Sequence, residues 1–410
     1  MLAYFPSPYP GEILYSVLAR YHIRSGNTNA KETSRDLFNS STTTATADLP
    51  SHLDSLINNL PLLSKHTVES LIQKYTLYPF YAVFLPPQRA DSVMESMKSE
   101  NGGSIHSKVG ILGNSINTPR YFRFCPLCLE KDLQEHGEPY WHRLYQIPGV
   151  LVCPVHAVTL KDSLVPMQSF NNQEYCAASP ENCPFNAQQE TYSNDTLQKL
   201  LILSRDICWL LNSHLSLRTP EYFPKQYMAL LIENGLATAR GRIYQKDLLD
   251  SFLFFYGHEL LEALDSTIRY ENKQNWLFDI ARKNGRGFHP VRHLLMMRFL
   301  ATSVENFFAT DYSYKPFGEG PWLCLNAAAE HYLKPVVTNL VVRQGFHSRK
   351  PVGEFSCSCG FVYCRTGPDL TQRSLLEVFF MGRSKREWTQ TTFDRYIKEG
   401  RGKQWQLLLG

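Results

Sequence analysis

The sequence has few cysteines for its length and no long hydrophobic run, and each shortage excludes a class of protein. Ten cysteines in 410 residues fall far below the density of a small secreted domain that disulfides hold together. No stretch of about 18 apolar residues occurs, and the first residues show neither a basic start nor an apolar run of the signal-peptide type. We therefore expect a soluble, cytoplasmic protein with reduced thiols and no membrane partner.

The sequence also lacks the short motifs that carry the commonest enzyme chemistries. It contains no phosphate-binding loop of the form G-x-x-x-x-G-K-[ST], no G-x-G-x-x-G after a strand and no H-E-x-x-H helix. Because 410 residues without a catalytic constellation favour recognition over turnover, we expect a binding or scaffolding protein and not an enzyme.

Positive charge is unevenly distributed along the chain. The formal net charge is +4, but residues 331–410 carry thirteen lysines and arginines against six acidic residues, so residues 1–330 are slightly acidic. A second basic stretch, residues 281–304, has five lysines and arginines and no acidic residue. Such patches are typical of proteins that bind a polyanion, although a solvated face without a partner gives the same pattern.

Helical periodicity covers most of the chain and gives way to strand patterning near its end. Apolar residues recur at helical spacing after Pro10, where we expect a helix that Gly26 ends. The fold class is therefore mainly α, a multi-domain helical protein with two small zinc-finger or zinc-ribbon modules. The expected segments are a helical domain at 1–120, a zinc-finger module at 121–165, a partly basic helical domain at 166–310, a zinc-ribbon-like β-hairpin module at 311–370 and a basic helical segment at 371–410.

Four of the cysteines and histidines form two knuckles of the kind that bind zinc. Cys125 and Cys128 are one tight turn apart, Cys153 and His156 have the same separation, and twenty-four residues lie between the two pairs. A tetrahedral zinc ion needs four such donors, and four protein ligands leave no open position for water. We expect a closed, structural zinc site here, and the alternative is a group of buried free thiols.

A catalytic zinc site is a weaker interpretation of the same region. Nucleobase deaminases bind zinc through His-x-Glu followed by Pro-Cys-x-x-Cys, and this chain has His136 and Glu138 close to the first cysteine pair. The order is reversed, however, and Cys153 and His156 would be surplus ligands. We therefore interpret His136 as an ordinary loop or packing residue.

A second metal site is predicted where the strand pattern begins and ends. Cys324 precedes the strand-like segment, and Cys357 and Cys359 follow it, so that a β-hairpin would bring three thiols together. His331 is the best placed fourth donor for a second Zn²⁺, and Cys364 is the next candidate. We expect no metal at the remaining cysteines, which are Cys176, Cys183 and Cys208.

The opening residues, PSPYPGEILYSVLARYHIRSG, resemble the start of the TniQ/TnsD family, the target-selection proteins of Tn7-like transposons. In that family a proline-rich lead runs into Gly-Glu, an aliphatic helix, a serine and an arginine, which are Ser16 and Arg20 in this sequence. Further segments similar to the TnsD branch follow in the same order, among them RFCPLCLEKDLQEHGEPYWHRLYQIPGVLVCPVHAVTL, HPVRHLLMMRFLATSVENFF and EFSCSCGFVYCRTGPD. The resemblance covers nearly the whole chain.

The resemblance implies a function and a set of partners. TnsD-like members bind an attachment site in double-stranded DNA and recruit an AAA+ ATPase regulator, TnsC-like, which brings the transposase. Shorter TniQ members dock instead on RNA-guided Cascade complexes, which is the alternative function. The resemblance also implies an N-terminal TniQ-like helical domain and a structural zinc at Cys125, Cys128, Cys153 and His156.

This sequence departs from the TnsD pattern in two places. A cysteine is usual a few residues after the one that matches Cys324, but Ala329 stands in this region and the ligand role would pass to His331. Longer members of the family also continue with helix-turn-helix elements, so we expect either a short variant or a truncated chain.

The basic stretches supply the candidates for DNA contacts. We expect most of them to bind phosphates, because phosphate contacts outnumber base contacts in protein–DNA complexes. The candidates are Arg282, Lys283, Arg286, Arg292, His293, Arg298, Lys385, Arg386, Arg395 and Lys398, with Arg401 and Lys403 as further backbone contacts.

Overall fold

The chain divides into two compact units. The first comprises Met1–Tyr227 and Leu249–Asp311, and the second comprises Met228–Leu248 and the described residues of Tyr312–Gly410. The computed structural model describes residues 1–100, 102–110, 116–187, 189–269, 275–282, 287–301, 303–345, 350–368 and 378–379.

Helices dominate the described residues, and short strands accompany them. The helices are α1 (Leu14–Ser25), α2 (Ala30–Phe38), α3 (Leu53–Asn59), α4 (Val68–Tyr75), α5 (Tyr78–Ala82), α6 (Pro87–Lys98), α7 (Ile105–Lys108), α8 (Pro126–His136), α9 (Asn194–Asn212), α10 (Tyr222–Glu233), α11 (Gln245–Ala263), α12 (Trp276–Asp279), α13 (Pro290–Leu300) and α14 (Val304–Ala309). The strands are β1 (Tyr121–Phe124), β2 (Lys161–Pro166), β3 (Trp322–Leu323), β4 (Pro335–Val337), β5 (Asn339–Gln344), β6 (Pro351–Ser356), β7 (Val362–Thr366) and β8 (Val378–Phe379). The fold is therefore mainly but not wholly helical.

Helix α1 begins later than the sequence indicates. The sequence predicts a start at Pro10, but the helix starts at Leu14. Gly11 has a φ of 72°, and the backbone of Glu12 forms a β-bridge with His142 in place of a first helical turn. The C-terminal end is as predicted, because Gly26 adopts a left-handed φ of 75°, which glycine tolerates without steric cost.

The core of the first unit joins α1 to the segment that carries the two knuckles, Cys125–Cys128 and Cys153–His156. Trp141 is fully buried, its backbone N–H donates to Ser16 Oγ over 3.1 Å, and its carbonyl accepts from Ile13 over 3.0 Å. The Trp141 ring stacks on Phe122 of β1 with centroids 4.9 Å apart. Strand β1, which precedes the first knuckle, pairs antiparallel with β2, which follows the second. Both knuckles are therefore connected to the N-terminal helices through β1 and Trp141.

The second part of the first unit is built from later helices. Helix α13 is buried along most of its length, and α9 packs against it through an ion pair between Asp206 and Arg298. Helix α11 is interrupted at Gly257, which has a φ of 75° and a ψ of 163°. Within the part of the chain that the structure describes, no helix combines the length and apolar character that crossing a bilayer requires.

The second unit contains a small antiparallel sheet in the order β5-β6-β7-β8 and the strand pair β3-β4. Its core includes Phe355 and Val337, which are fully buried, and Tyr363, which stacks on Phe355 at 4.8 Å. Gly353 is required on β6, because a Cβ at this position would lie 2.7 Å from the Phe355 ring. Because a small core supplies little stability, we expect the neighbouring cysteines to contribute to the stability of this unit.

The sequence predicts a helix for the C-terminal segment, residues 371–410. Most of this segment lies outside the described residues, but Val378–Phe379 form β8 and pair antiparallel with Cys364 and Arg365 of β7. At these two positions the prediction of helix is wrong, because Val378 and Phe379 pair with β7 as an edge strand.

Candidate metal centres and nucleic-acid interface

The first knuckle lies where strand β1 changes into helix α8. Cys125 has an extended backbone and precedes Pro126, the first residue of α8. Proline is favoured at this position because its fixed φ suits a helix start and its missing N–H has no intrahelical partner there. Cys128 therefore sits in the first turn of the helix, close to Cys125.

The second knuckle is a tight turn between Val152 and Thr159, which form a β-bridge. The Cys153 N–H donates to the carbonyl of Val158 over 2.8 Å, and the His156 N–H points at Cys153 Sγ over 3.4 Å. A backbone N–H directed at a cysteine sulfur stabilises negative charge on that sulfur.

The structure brings the four donor atoms of the first cluster together. The first cluster consists of Cys125, Cys128, Cys153 and His156, whose ligand atoms all lie within 4.8 Å of one another. His156 Nδ1 is 3.3–3.6 Å from the three sulfurs, and Cys128 Sγ is 3.9 Å from Cys153 Sγ. A tetrahedral zinc ion with Zn–S distances near 2.3 Å and Zn–N distances near 2.0 Å places nitrogen and sulfur about 3.5 Å apart and two sulfurs about 3.8 Å apart. The residues present therefore fit zinc.

The thiols of the first cluster have different pKa values because they form hydrogen bonds with one another. Hydrogen bonds from Cys125 and Cys128 lower the pKa of Cys153 well below its usual range. Hydrogen bonding to the other two sulfurs, together with burial, raises the pKa of Cys128. Since a metal ion replaces the protons on such thiols, this grouping is suited to binding a cation.

Tyr145 supports the first cluster from outside the ligand set. Its hydroxyl lies 2.9 Å from Cys128 Sγ and 3.3 Å from Cys153 Sγ. Burial, reinforced by the two sulfurs, raises the pKa of Tyr145, so the phenol stays protonated and can donate to a thiolate. The sequence does not single out Tyr145, because nothing in the spacing of a single tyrosine indicates which sulfur it reaches.

Glu138, the acid of the deaminase interpretation, lies in a separate ion-pair network. Its carboxylate accepts from Arg20 Nε over 2.7 Å and from the Tyr9 hydroxyl over 2.9 Å, and it also pairs with Arg24. Burial raises the pKa of Glu138, but these partners outweigh it and the net effect is to lower the pKa. Glu138 is therefore a carboxylate that joins α1 to the end of α8, and the first cluster is formed without it.

The second cluster consists of Cys324, His331, Cys357 and Cys359, and its ligand atoms also lie within 4.8 Å of one another. Cys324 Sγ is 3.8 Å from Cys359 Sγ, and His331 Nε2 is 3.3 Å from Cys357 Sγ. These separations match the same tetrahedral zinc geometry. Cys364 lies opposite Glu354 on strands β7 and β6 and is outside this cluster.

The second cluster is less buried than the first, and its sulfurs differ from one another. Burial raises the pKa of Cys324 to about 12. Burial also raises the pKa of Cys359, but hydrogen bonds from Asn326, Phe361 and His331 outweigh it and lower the pKa to about 7. Asn326 Nδ2 is 3.5 Å from Cys359 Sγ, which makes it a donor comparable to the tyrosine of the first cluster.

Comparison with known proteins places each cluster inside a region that a family model matches. The family model described as TniQ matches residues 3–160, and the model described as Tn7-like transposition protein D matches residues 203–383. The two matches together cover most of the chain, and each contains one cluster. This chain belongs to the TniQ/TnsD family.

A curated relative extends the comparison for this TniQ/TnsD protein. The chain is 27% identical over 302 residues to the transposon Tn7 transposition protein TnsD of Escherichia coli. The match covers 72% of this chain and 57% of that relative, so the chain spans little more than half the length of the curated protein it matches.

The structure separates the DNA-contact candidates of this TniQ/TnsD protein by their surroundings. Arg282 is exposed and forms a surface ion pair with Asp279 at 3.1 Å. The guanidinium of Arg292 lies 5.2 Å from the centroid of the Trp276 ring, over its face, and is partly buried. Of these two, Arg282 is the more accessible to a ligand.

Two further candidates have partners within the protein. His293 is 6% exposed, its Nδ1 lies 2.9 Å from the Tyr227 hydroxyl, and burial lowers its pKa to about 3. A neutral imidazole offers no positive charge to a phosphate. Arg298 pairs with the buried Asp206, so its charge already has a partner. The remaining candidates lie outside the described residues: Lys283, Arg286, Lys385, Arg386, Arg395, Lys398, Arg401 and Lys403.

Proposed function

We propose that this chain selects a target site for transposition by binding an attachment sequence in double-stranded DNA and recruiting an AAA+ ATPase regulator of the TnsC type. The observation that carries the proposal is the pair of adjacent matches, TniQ followed by Tn7-like transposition protein D, in one chain. The curated relative is itself named as a transposition protein. The transposase would join through the regulator.

Both clusters are proposed to hold Zn²⁺ in a structural role. Each offers four protein donors, which fill a tetrahedral shell and leave no position for a reactive water. When bound, the ion supplies folding free energy by joining segments that are distant in sequence. The chain is therefore proposed to act by binding and recruitment, without catalysis of its own.

The two ends of the chain are proposed to have different partners. The N-terminal helical part lies in the slightly acidic portion of the chain, which suits contact with proteins. The basic stretch 281–304 and residues 331–410 carry the positive charge that suits DNA. Arg282 and Arg292 remain proposed contacts together with the candidates outside the described residues. His293 and Arg298 are left out of the proposed surface because one is buried and the other is paired.

Fluorescence anisotropy with labelled duplexes across a salt series tests this proposal. We expect the isolated protein to bind one attachment sequence about 10³-fold or more tightly than a scrambled duplex. The observed affinity should also fall steeply as salt rises, because phosphate contacts release counterions. Equal, weak affinity for every duplex would contradict sequence-specific selection. Failure to bind DNA, combined with co-purification with Cascade, would favour the adaptor function instead.

A matched pair of variants locates the residues that bind DNA. Replacing Lys385, Arg386, Arg395 and Lys398 with glutamine should weaken binding and reduce the slope of log affinity against log salt by about one for each phosphate that is no longer neutralised. The control replaces four exposed basic residues of the first unit, Lys31, Arg35, Lys65 and Lys131, and leaves the affinity close to the wild-type value. Equal effects of the two variants would show only a general reduction of positive charge.

A further inference from the structure

Three arginines from separate parts of the first unit line one cleft with a volume of about 200 Å³. Arg89 comes from the first turn of α6, Arg218 from the segment before α10, and Arg282 from the residues after α12. One acidic side chain, Glu221, also lines the cleft, so the formal charge of its lining is +2. We call this feature the arginine cleft.

The guanidinium groups of the arginine cleft are poorly neutralised by the protein. Among the described residues, neither Arg89 nor Arg218 forms an ion pair with a carboxylate, and Arg218 Nε is buried without a hydrogen-bond partner. The guanidinium of Arg218 lies 4.8 Å from the centroid of the Tyr222 ring, which holds it in place. In the pair with Asp279 the Arg282 side chain is exposed, which weakens the pair, so a stronger anion can displace the carboxylate.

Helix starts add positive potential to the same cleft. The residues that line it include Pro86, which precedes α6, Glu221, which precedes α10, and Phe288, which lies just before α13. Each of these helices has eleven or twelve residues. The N-terminal end of a helix carries roughly half a positive charge, which favours anions nearby.

The floor of the arginine cleft is formed by aromatic side chains. Phe84 stacks on His293 with centroids 4.7 Å apart, and Phe223 lies 5.3 Å from Phe84 and 5.1 Å from His293. The sequence singles out His293 for DNA contact, but the structure uses it as part of this floor. An apolar floor lowers the local dielectric constant and so strengthens the attraction between the arginines and an anion.

From this arrangement we propose that the arginine cleft binds a phosphate group of the DNA backbone. The inference rests on the proposed function, since DNA is the polyanion in question. Guanidinium groups match phosphate oxygens with paired hydrogen bonds, and the small volume suits a phosphate with part of its sugar more than a folded peptide. Two of the three arginines, Arg89 and Arg218, lie outside the basic stretches of the sequence.

The test is a salt series on the full chain carrying Arg89→Gln, Arg218→Gln and Arg282→Gln together, with a labelled duplex of scrambled sequence and a labelled attachment duplex as probes. We expect affinity to fall about tenfold for both probes, because charged hydrogen bonds to phosphate are removed. The slope of log affinity against log salt should decrease by about one to two, as for one or two phosphates. The control is Arg35→Gln, an exposed arginine on α2 outside the cleft.

Each result decides a separate question. An unchanged slope in the triple variant, with normal wild-type binding, overturns the arginine cleft and leaves the proposed function intact. Loss of binding to a labelled poly-glutamate peptide with unchanged DNA binding also overturns it, because the cleft would then be a site for acidic peptides. If the wild-type chain binds no duplex, the proposed function itself fails. If the triple variant melts at a lower temperature, the slope of log affinity against log salt is measured for Arg89→Gln alone. Arg89 is exposed, so this single change should leave the fold intact, and an unchanged slope overturns the arginine cleft.

Discussion

The two Cys/His clusters offer the same chemistry in different structural settings. The first lies between a strand, a helix and a tight turn, all of which continue into a large helical core around Trp141. The second joins the connection between β3 and β4 to the turn between β6 and β7, beside a small core that includes Phe355 and Val337. A metal therefore contributes a different share of the stability in each place, because a small core depends more on cross-links than a large one.

The largest loss of stability should follow removal of a metal ligand from the second cluster. Cys357→Ser removes one donor, and metal release withdraws folding free energy on the order of 10 kcal/mol in small zinc modules. We expect hydrogen–deuterium exchange to show reduced amide protection across β5, β6 and β7. Cys364→Ser is the control, because Cys364 lies on β7 outside the cluster. Protected strands in Cys357→Ser would show that the sheet is stable without the ion.

A smaller and more local effect should follow removal of a ligand from the first cluster. Cys125→Ser should release the metal and expose amides in β1, α8 and the turn at Cys153. We expect α2 to α6 to keep their protection, since their packing does not pass through the cluster. The cost should be a few kcal/mol, less than the full free energy of a zinc module, because Trp141 and Ser16 still join this segment to α1. Unfolding of the whole first unit would contradict this contrast.

The order in which a chelator removes zinc distinguishes the clusters kinetically. Cys359 is partly exposed and Cys324 is buried in the second cluster, whereas all three cysteines of the first cluster are buried. We expect two phases of release, with the second cluster releasing its ion faster by on the order of tenfold, because the surrounding shell controls access of solvent. A dye that reports free zinc measures both phases. The fast phase should be absent from Cys357→Ser and the slow phase from Cys125→Ser.

The sequence predicts much of the ligand sets and little of their surroundings. The close spacing within Cys125–Cys128 and Cys153–His156 indicates paired donors, and the structure places these four side chains together. The choice of His331 over Cys364 also follows from strand alternation. Zinc itself stays a prediction, as do the boundaries of the five segments.

Charge is a weaker guide than spacing because burial cannot be counted from composition. His293 and Arg298 stand in the same basic stretch as Arg282, yet α13 turns the first into the core and the second toward Asp206. Conversely, Arg89 and Arg218 appear in unremarkable local sequence and meet only in the folded chain. The helix start at Leu14 differs from the predicted Pro10 for a related reason, since the pairing of Glu12 with His142 is a long-range contact.

The smallest predicted effect concerns the hydrogen bonds that support each cluster. Tyr145→Phe removes the hydroxyl that lies 2.9 Å from Cys128 Sγ and 3.3 Å from Cys153 Sγ, while the ring can keep its packing. We expect zinc affinity at the first cluster to fall about tenfold, since partners outside the ligand shell typically contribute that much. Competition with a chelator of known affinity measures the change.

Tyr140→Phe is the matched control for this change, because the Tyr140 hydroxyl donates to the carbonyl of Pro10 and not to a cysteine. In the second cluster the corresponding change is Asn326→Ala, whose amide lies 3.5 Å from Cys359 Sγ. Because that hydrogen bond is longer and the sulfur is partly exposed, water can replace the missing donor, and we expect a smaller decrease in affinity there. Equal decreases of zinc affinity in Tyr145→Phe and Tyr140→Phe would mean that the Tyr145 hydroxyl gives no specific support to the sulfurs of the first cluster. Burial alone would then account for the difference between the two clusters.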